Sequence, residues 1–111
     1  MPTVKNVSVD QACELLEGGA LLLDVREESE WALGRAPQAL HIALGDVPDH
    51  LDDLERERLI VCVCRSGGRS ARAGQFLIDQ GFDAVNLDGG MTAWAEQKKP
   101  LVADGGEPTI G

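Results

Sequence analysis

Leu59-Ile60-Val61-Cys62-Val63-Cys64-Arg65-Ser66-Gly67-Gly68-Arg69-Ser70-Ala71-Arg72 is the stretch whose reading decides the fold. Its first six residues are apolar and half of them are β-branched, the pattern of a strand buried on both faces. The strand runs straight into Cys64, two glycines and an alternation of arginine and serine. Beyond Gly68 the pattern turns helical, with Ala71, Ala73, Phe76, Leu77 and Gln80 leading to Gly81. A loop this short between strand and helix must curl around the Cys64 sulfur and aim backbone N–H groups inward. With the positive end of the following helix, those groups form an anion cradle, and the same field favours thiolate over thiol. Arg65 and Arg69 add full positive charges. An ordinary core cysteine is inert and needs neither these arginines nor glycines that let backbone close on the sulfur, so Cys64 reads as a nucleophile.

The rest of the composition bounds what surrounds that loop. A chain of 111 residues fits one domain, able to bury somewhat under roughly 70% of its unfolded surface. No apolar run approaches the ~20 residues that cross a bilayer, so no membrane association is expected. The start, Met1-Pro2-Thr3-Val4-Lys5, lacks a basic region followed by an apolar core, which makes a cytoplasmic location the expectation. Cys13, Cys62 and Cys64 are an odd set with no disulfide framework, as suits a reducing compartment. Cys62 and Cys13 read as core residues, and without a second cysteine pair or a nearby histidine no metal site is expected. A net charge of −9 argues against nucleic acid as a partner. In so acidic a protein, Arg65, Arg69 and Arg72 form a local basic spot, as a small anionic substrate requires. For Arg72, pairing with nearby acids is an equal reading.

Outward from the loop, the pattern alternates strands with helices. Residues 3–7 suggest a short strand, Ser8 a cap for a helix over Val9–Glu17, and Ala20–Asp24 an apolar strand ending in a carboxylate. Ligand sites in open α/β sheets gather at such ends, which makes Asp24 and Arg26 candidates for the rim or support of the site. Glu28–Leu33 reads as a short helix with Trp31 in the core, followed by a small strand at Leu40-His41-Ile42. Asp46–Leu54 reads as an acidic helix with Val47, Leu51 and Leu54 inward. His41 and His50 read as solvated side chains. Ala84–Leu87 is a last strand, Asp88-Gly89-Gly90 a turn that lies beside the site if this strand neighbours the Cys64 strand, and Met91–Glu96 a final helix with Trp94 inside. Glycine and proline from residue 101 onward suggest a weakly ordered tail, leaving residues 1–100 as the domain. The alternation implies an α/β fold, a mostly parallel sheet covered on both faces.

Cys64-Arg65-Ser66-Gly67-Gly68-Arg69-Ser70 resembles the active-site loop of the rhodanese sulfurtransferases, whose cysteine carries a sulfane sulfur as a persulfide. Leu22-Leu23-Asp24-Val25-Arg26-Glu27, with Glu30-Trp31 and Gly34, resembles that family's first block, and Leu87-Asp88-Gly89-Gly90-Met91 with Trp94 its last. The resemblance spans about residues 4 to 100. It implies a three-layer rhodanese-like fold with about five strands, a block at Asp24 and Arg26 that braces the loop, and no cofactor or metal. It implies transfer of sulfur from thiosulfate or a persulfide donor to a thiol or cyanide acceptor, a protein partner remaining open. Backbone N–H groups from Arg65, Ser66, Gly67, Gly68, Arg69 and Ser70 would hold the substrate, with Arg69 and Arg65 orienting the anion; Ser66 and Ser70 either add hydroxyl donors or cap the helix, capping being the preferred reading for Ser70. The chain departs from the family at Arg35-Ala36-Pro37-Gln38-Ala39, where His-Ile-Pro-Gly-Ala is usual, and at Ala43, where a proline is common. Both departures bear on the pocket rim. Two rival readings are a cysteine phosphatase or arsenate reductase, and an interaction module or protein-fed sulfur carrier. Only four residues separate Cys64 from Arg69, whereas the phosphatase pattern has five and often a histidine where Val63 stands.

Overall fold

A computed structural model describes residues 2–110. The elements are β1 (Lys5–Val7), α1 (Val9–Glu17), β2 (Leu21–Asp24), α2 (Glu28–Leu33), β3 (Leu40–His41), a 3-10 segment (Leu44–Asp53), β4 (Ile60–Val63), α3 (Gly68–Asp79), β5 (Ala84–Leu87) and α4 (Gly90–Glu96). The five strands make one sheet in the order β1-β5-β4-β2-β3, and every pairing is parallel. The α/β architecture and strand number expected from the sequence are both present.

β4 is the central strand and all four of its residues are buried. Side chains alternate across a strand, so Ile60, Cys62 and Cys64 enter one core with Leu23, Val25, Ala73, Leu77 and Phe82. Val61 and Val63 enter the opposite core with Val9, Ala12, Leu22, Leu87, Met91 and Trp94. The 3-10 segment and α3 therefore cover one face, while α1 and α4 cover the other. A sheet buried on both sides explains why β4 shows no polar alternation. α1 starts where expected: Ser8 Oγ accepts from the Gln11 N–H at 3.1 Å, and Gln11 Oε1 accepts from the Ser8 N–H at 2.9 Å.

Several local expectations are corrected. The acidic helix is a 3-10 segment that starts at Leu44 and breaks helical geometry at His50. Pro48 lies inside it and can neither donate a backbone hydrogen bond nor tolerate the carbonyl four residues back, which favours the tighter, interrupted form. Trp31 is half-buried, its ring stacked on His41 at 4.7 Å between centroids and the Arg35 guanidinium 4.7 Å from its centre. His41 is thus a packed side chain with Nε2 2.8 Å from the Arg26 carbonyl oxygen, not a solvated one.

The segment after residue 100, where a weakly ordered tail was expected, runs back along α2. Arg35 and Val102 exchange backbone hydrogen bonds at 2.9 and 2.8 Å, and the Asp104 and Thr109 N–H groups donate to the Ala32 and Leu33 carbonyls. Arg35 also pairs with Asp104 at 2.8 Å, and Leu101 and Ile110 pack on the second core. A Cβ on Gly34 would collide with the Thr109 carbonyl, so the glycine is there to admit this segment. Composition marked residues 101–110 as loop, but loops can still be held by backbone hydrogen bonds and two apolar anchors.

Candidate active site

Cys64 follows the last residue of β4 and is only 1% exposed. The chain turns at Gly67, whose φ of +117° is left-handed backbone that glycine adopts without strain, and α3 starts at Gly68. This turn brings the Gly67 N–H to 3.1 Å from Cys64 Sγ. The Ser70 hydroxyl, on the first turn of α3, lies 3.3 Å from the same sulfur. From the other side, the N-terminal turn of α4 clamps the loop, as the Met91 N–H donates to the Cys64 carbonyl at 2.8 Å and the Thr92 N–H to that of Arg65 at 3.0 Å. Gly90 permits this approach, because any Cβ there would overlap the Cys64 and Arg65 main chain.

These contacts decide the state of the sulfur. Burial pushes the Cys64 thiol up, but the Ser70 hydroxyl and the backbone N–H groups of Ser70, Gly67 and Ser66 outweigh it and hold the thiol below its ordinary value. Cys62, two residues earlier on the same face, has no such donors, and burial pushes it to about 12.

Ser70 is not the helix cap expected from sequence. The cap position belongs to Gly67, and Ser70 is fully buried inside the first turn. Its Oγ lies 2.5 Å from Asn86 Oδ1 and 3.3 Å from the Gly67 carbonyl oxygen as well as facing Cys64. Asn86, on β5, is 3% exposed and donates through Nδ2 to the Gly67 carbonyl at 3.1 Å and to Asn6 Oδ1 at 3.0 Å. Sequence reading passed over Asn86, although a lone amide in the buried strand Ala84–Leu87 was a usable signal.

Arg69 is held in a fork-to-fork pair with Glu30 of α2, Nη1 to Oε1 at 2.6 Å and Nη2 to Oε2 at 2.9 Å. The Arg69 hydrogen bond draws Glu30 down to about 2, and the same bond pushes Arg69 up. Glu30 stands in the first sequence block, but nothing local to it marks it as the partner of Arg69. Arg65, Ser66 and Gly68 are exposed at the mouth of the loop, and Arg72 is exposed one turn further along α3. Asp24 and Arg26 are fully buried and paired at 2.7 Å. Arg26 also donates to the Gly34 carbonyl at 2.7 Å, which ties the end of β2 to the end of α2, the helix that carries Glu30. The pair thus acts on the loop at one remove.

A concavity of about 670 Å³ beyond β3 is lined by Glu27, Glu28, His41, Asp46, His50 and Asp53. Its acidic walls repel the anion that the Cys64 cradle would attract, and Cys64 does not line it. The cradle itself is formed by the Gly67 N–H and the Ser70 hydroxyl around Sγ. Among the described residues, no three His, Cys, Asp or Glu side chains are grouped as metal ligands, and no helix is long and apolar enough to cross a membrane.

A parallel α/β sheet with a buried cysteine in a tight loop at the carboxyl end of its central strand defines the class. Residues 8–97 match the family model described as "Rhodanese-like domain". The chain is 41% identical over 99 residues to YtwF of Bacillus subtilis, a protein provisionally named a sulfurtransferase, covering 87% of this chain and 96% of that one. It is 40% identical over 87 residues to a protein of Allochromatium vinosum named sulfurtransferase, covering 78% and 81%. A solved rhodanese-related protein from Thermoplasma volcanium superposes with a TM-score of 0.82 at 28% identity, covering 88% of this chain and 97% of that one. The chain belongs to the rhodanese-like domain family.

Proposed function

We propose that the protein is a sulfurtransferase that carries sulfane sulfur on Cys64. The Cys64 thiolate attacks the outer sulfur of thiosulfate or a persulfide donor. The new Sγ–S bond forms as the donor's S–S bond breaks, and sulfite or a thiolate leaves with the electron pair. A thiophilic acceptor, such as cyanide or a thiol, then attacks the outer sulfur and releases the Cys64 thiolate. Backbone N–H groups of the loop from Arg65 to Ser70 stabilise the charge as it moves, and the exposed Arg65 draws in the anionic donor.

The observation that carries this reading is the contrast at one strand end, with Cys64 held below an ordinary thiol by hydrogen bonds and Cys62 pushed to about 12. The two sulfurtransferase-named relatives support the reaction class. The four-residue spacing from Cys64 to Arg69 favours the single outer atom of a persulfide over a tetrahedral phosphate or arsenate. Three free cysteines suit a reducing, cytoplasmic setting. Incubation with thiosulfate should add about 32 Da, the mass of one sulfur, to the intact protein and cyanide should remove it. A Cys64→Ser protein should gain nothing, and a wild-type protein that gains nothing sinks the thiosulfate reading.

A second reading, a carrier fed by a protein persulfide, draws on the Arg69–Glu30 pair. With Arg69 neutralised by Glu30, a free dianion meets less positive charge than the sequence promised, whereas a persulfide delivered by a protein needs less. Loading from a protein persulfide but not from thiosulfate would select it.

A further inference from the structure

We propose that Asn86 is a positioning residue that holds the Ser70 hydroxyl proton whenever Cys64 Sγ is uncharged, making Ser70 a two-position switch. The proposal rests on the cycle above, in which Sγ alternates between thiolate and the uncharged inner sulfur of a persulfide.

Donor and acceptor counting gives the argument. A backbone carbonyl can only accept, so the Asn86 atom 3.1 Å from the Gly67 oxygen is the amide nitrogen, and its second proton goes to Asn6 Oδ1. Asn86 Oδ1 is then left facing Ser70 Oγ at 2.5 Å, and it too can only accept. Ser70 has one proton and three acceptors in reach; the Gly67 carbonyl oxygen at 3.3 Å already receives an Asn86 Nδ2 proton, so the contest lies between Asn86 Oδ1 and Cys64 Sγ at 3.3 Å. With the proton on the Asn86 side, the hydroxyl turns a lone pair to the sulfur, to which a thiol donates its own proton; the inner sulfur of a persulfide has none to donate and, being uncharged, draws the Ser70 proton less than Asn86 Oδ1 does. When Sγ is a thiolate, the charge-assisted bond to sulfur is the stronger one and the hydroxyl rotates. No heavy-atom bond changes, and the proton stays on Ser70 throughout. Ser70 is fully buried, so each position needs its own protein partner. Strand register supplies this one: Asn86 lies opposite Cys62 on β4 and opposite Asn6 on β1.

Asn86 therefore competes with the thiolate for one proton, and its loss has a sign opposite to that of a simple structural prop. The test is the pH dependence of Cys64 alkylation by iodoacetamide, in a Cys13→Ser background, with folding checked by thermal melting. Asn86→Ala should lower the alkylation midpoint by about one unit, the worth of the neutral Ser70–Asn86 hydrogen bond that the thiol state loses. Ser70→Ala should raise it, and in the Ser70→Ala background Asn86→Ala should have no further effect. A raised midpoint in Asn86→Ala, or the same shift in both backgrounds, overturns the proposal. Asn86→Leu, closer in volume, serves with the same outcomes if the alanine variant unfolds. The unaltered protein supplies a check without any variant. The proton NMR resonance of the short Ser70 hydrogen bond should move as Cys64 titrates from thiol to thiolate, and a resonance blind to that titration overturns the switch. The charges around the site, Arg65, Arg69 and Glu30 at the loop, Asp24 at the end of β2 and Arg26 just beyond it, and the thiol of Cys62, are the same in every variant. None of these readouts uses thiosulfate, so failure of the switch and failure of sulfur transfer are separately visible.

Discussion

Cys62 and Cys64 stand two residues apart on one strand, point into the same core and are both hidden from solvent, yet their thiols are driven in opposite directions. Burial acts on both and alone favours the neutral thiol. What differs is the backbone beyond. At Cys62 the neighbouring N–H groups are spent on the ladder to β2 and β5. At Cys64 the ladder has ended, and the turn at Gly67 redirects N–H groups to the sulfur while Ser70 adds a hydroxyl. What lowers the Cys64 thiol is the end of a strand, not exposure.

Replacing each cysteine breaks this comparison most sharply. Cys64→Ser should abolish sulfur transfer, whereas Cys62→Ser and Cys13→Ser should retain most of it, as read by sulfite release and intact mass. Equal loss from Cys62→Ser would overturn the assignment of roles. Next in size is Gly90→Ala, whose Cβ overlaps the main chain of Cys64 and Arg65 at a φ of +57°. That substitution should cost about 3 kcal/mol or more in denaturant unfolding, because backbone must move and left-handed geometry resists alanine. In any folded fraction, the Cys64 alkylation midpoint should rise toward that of an ordinary thiol.

Cys62→Ser sharpens the other half of the comparison. A hydroxyl in that dry position should cost about 1–3 kcal/mol of stability and leave the Cys64 alkylation profile in place, since Cys62 contributes packing rather than donors. A shifted profile would mean the two sulfurs are coupled. The smallest effect is expected from Glu30→Gln, about 1 kcal/mol or less for a pair that still touches solvent. Released from Glu30, Arg69 should lower the KM for thiosulfate; an unchanged KM would exclude Arg69 from donor binding. Because the folded state depresses Glu30, its pair contributes fully above about 4.5 and is lost as pH falls toward about 2. Acid unfolding of the wild type and Glu30→Gln proteins should therefore converge at the low end of that window.

Much of this protein could be read from the chain alone because the causes are local. An unbroken apolar run of β-branched residues ending in Cys64 and two glycines already implies a strand buried on both faces, a tight turn and N–H groups aimed at a sulfur. Ser8 and Gln11 likewise carry their own capping geometry within three residues. The order of strands, by contrast, is written in no single segment, and it decides every long-range partner of the site. Ser70 meets Asn86 because β5 pairs with β4, and Arg69 loses its free charge because α2, thirty-nine residues earlier, is brought to the mouth of the loop. Residues 101–110 find backbone partners beside Gly34 for the same reason, although their composition reads as loose chain. Local sequence sets dihedral angles and the direction of N–H groups. Which side chain receives a proton or neutralises a charge is settled only when the sheet and its helices have closed around one another, because those energies depend on distances that no local stretch controls.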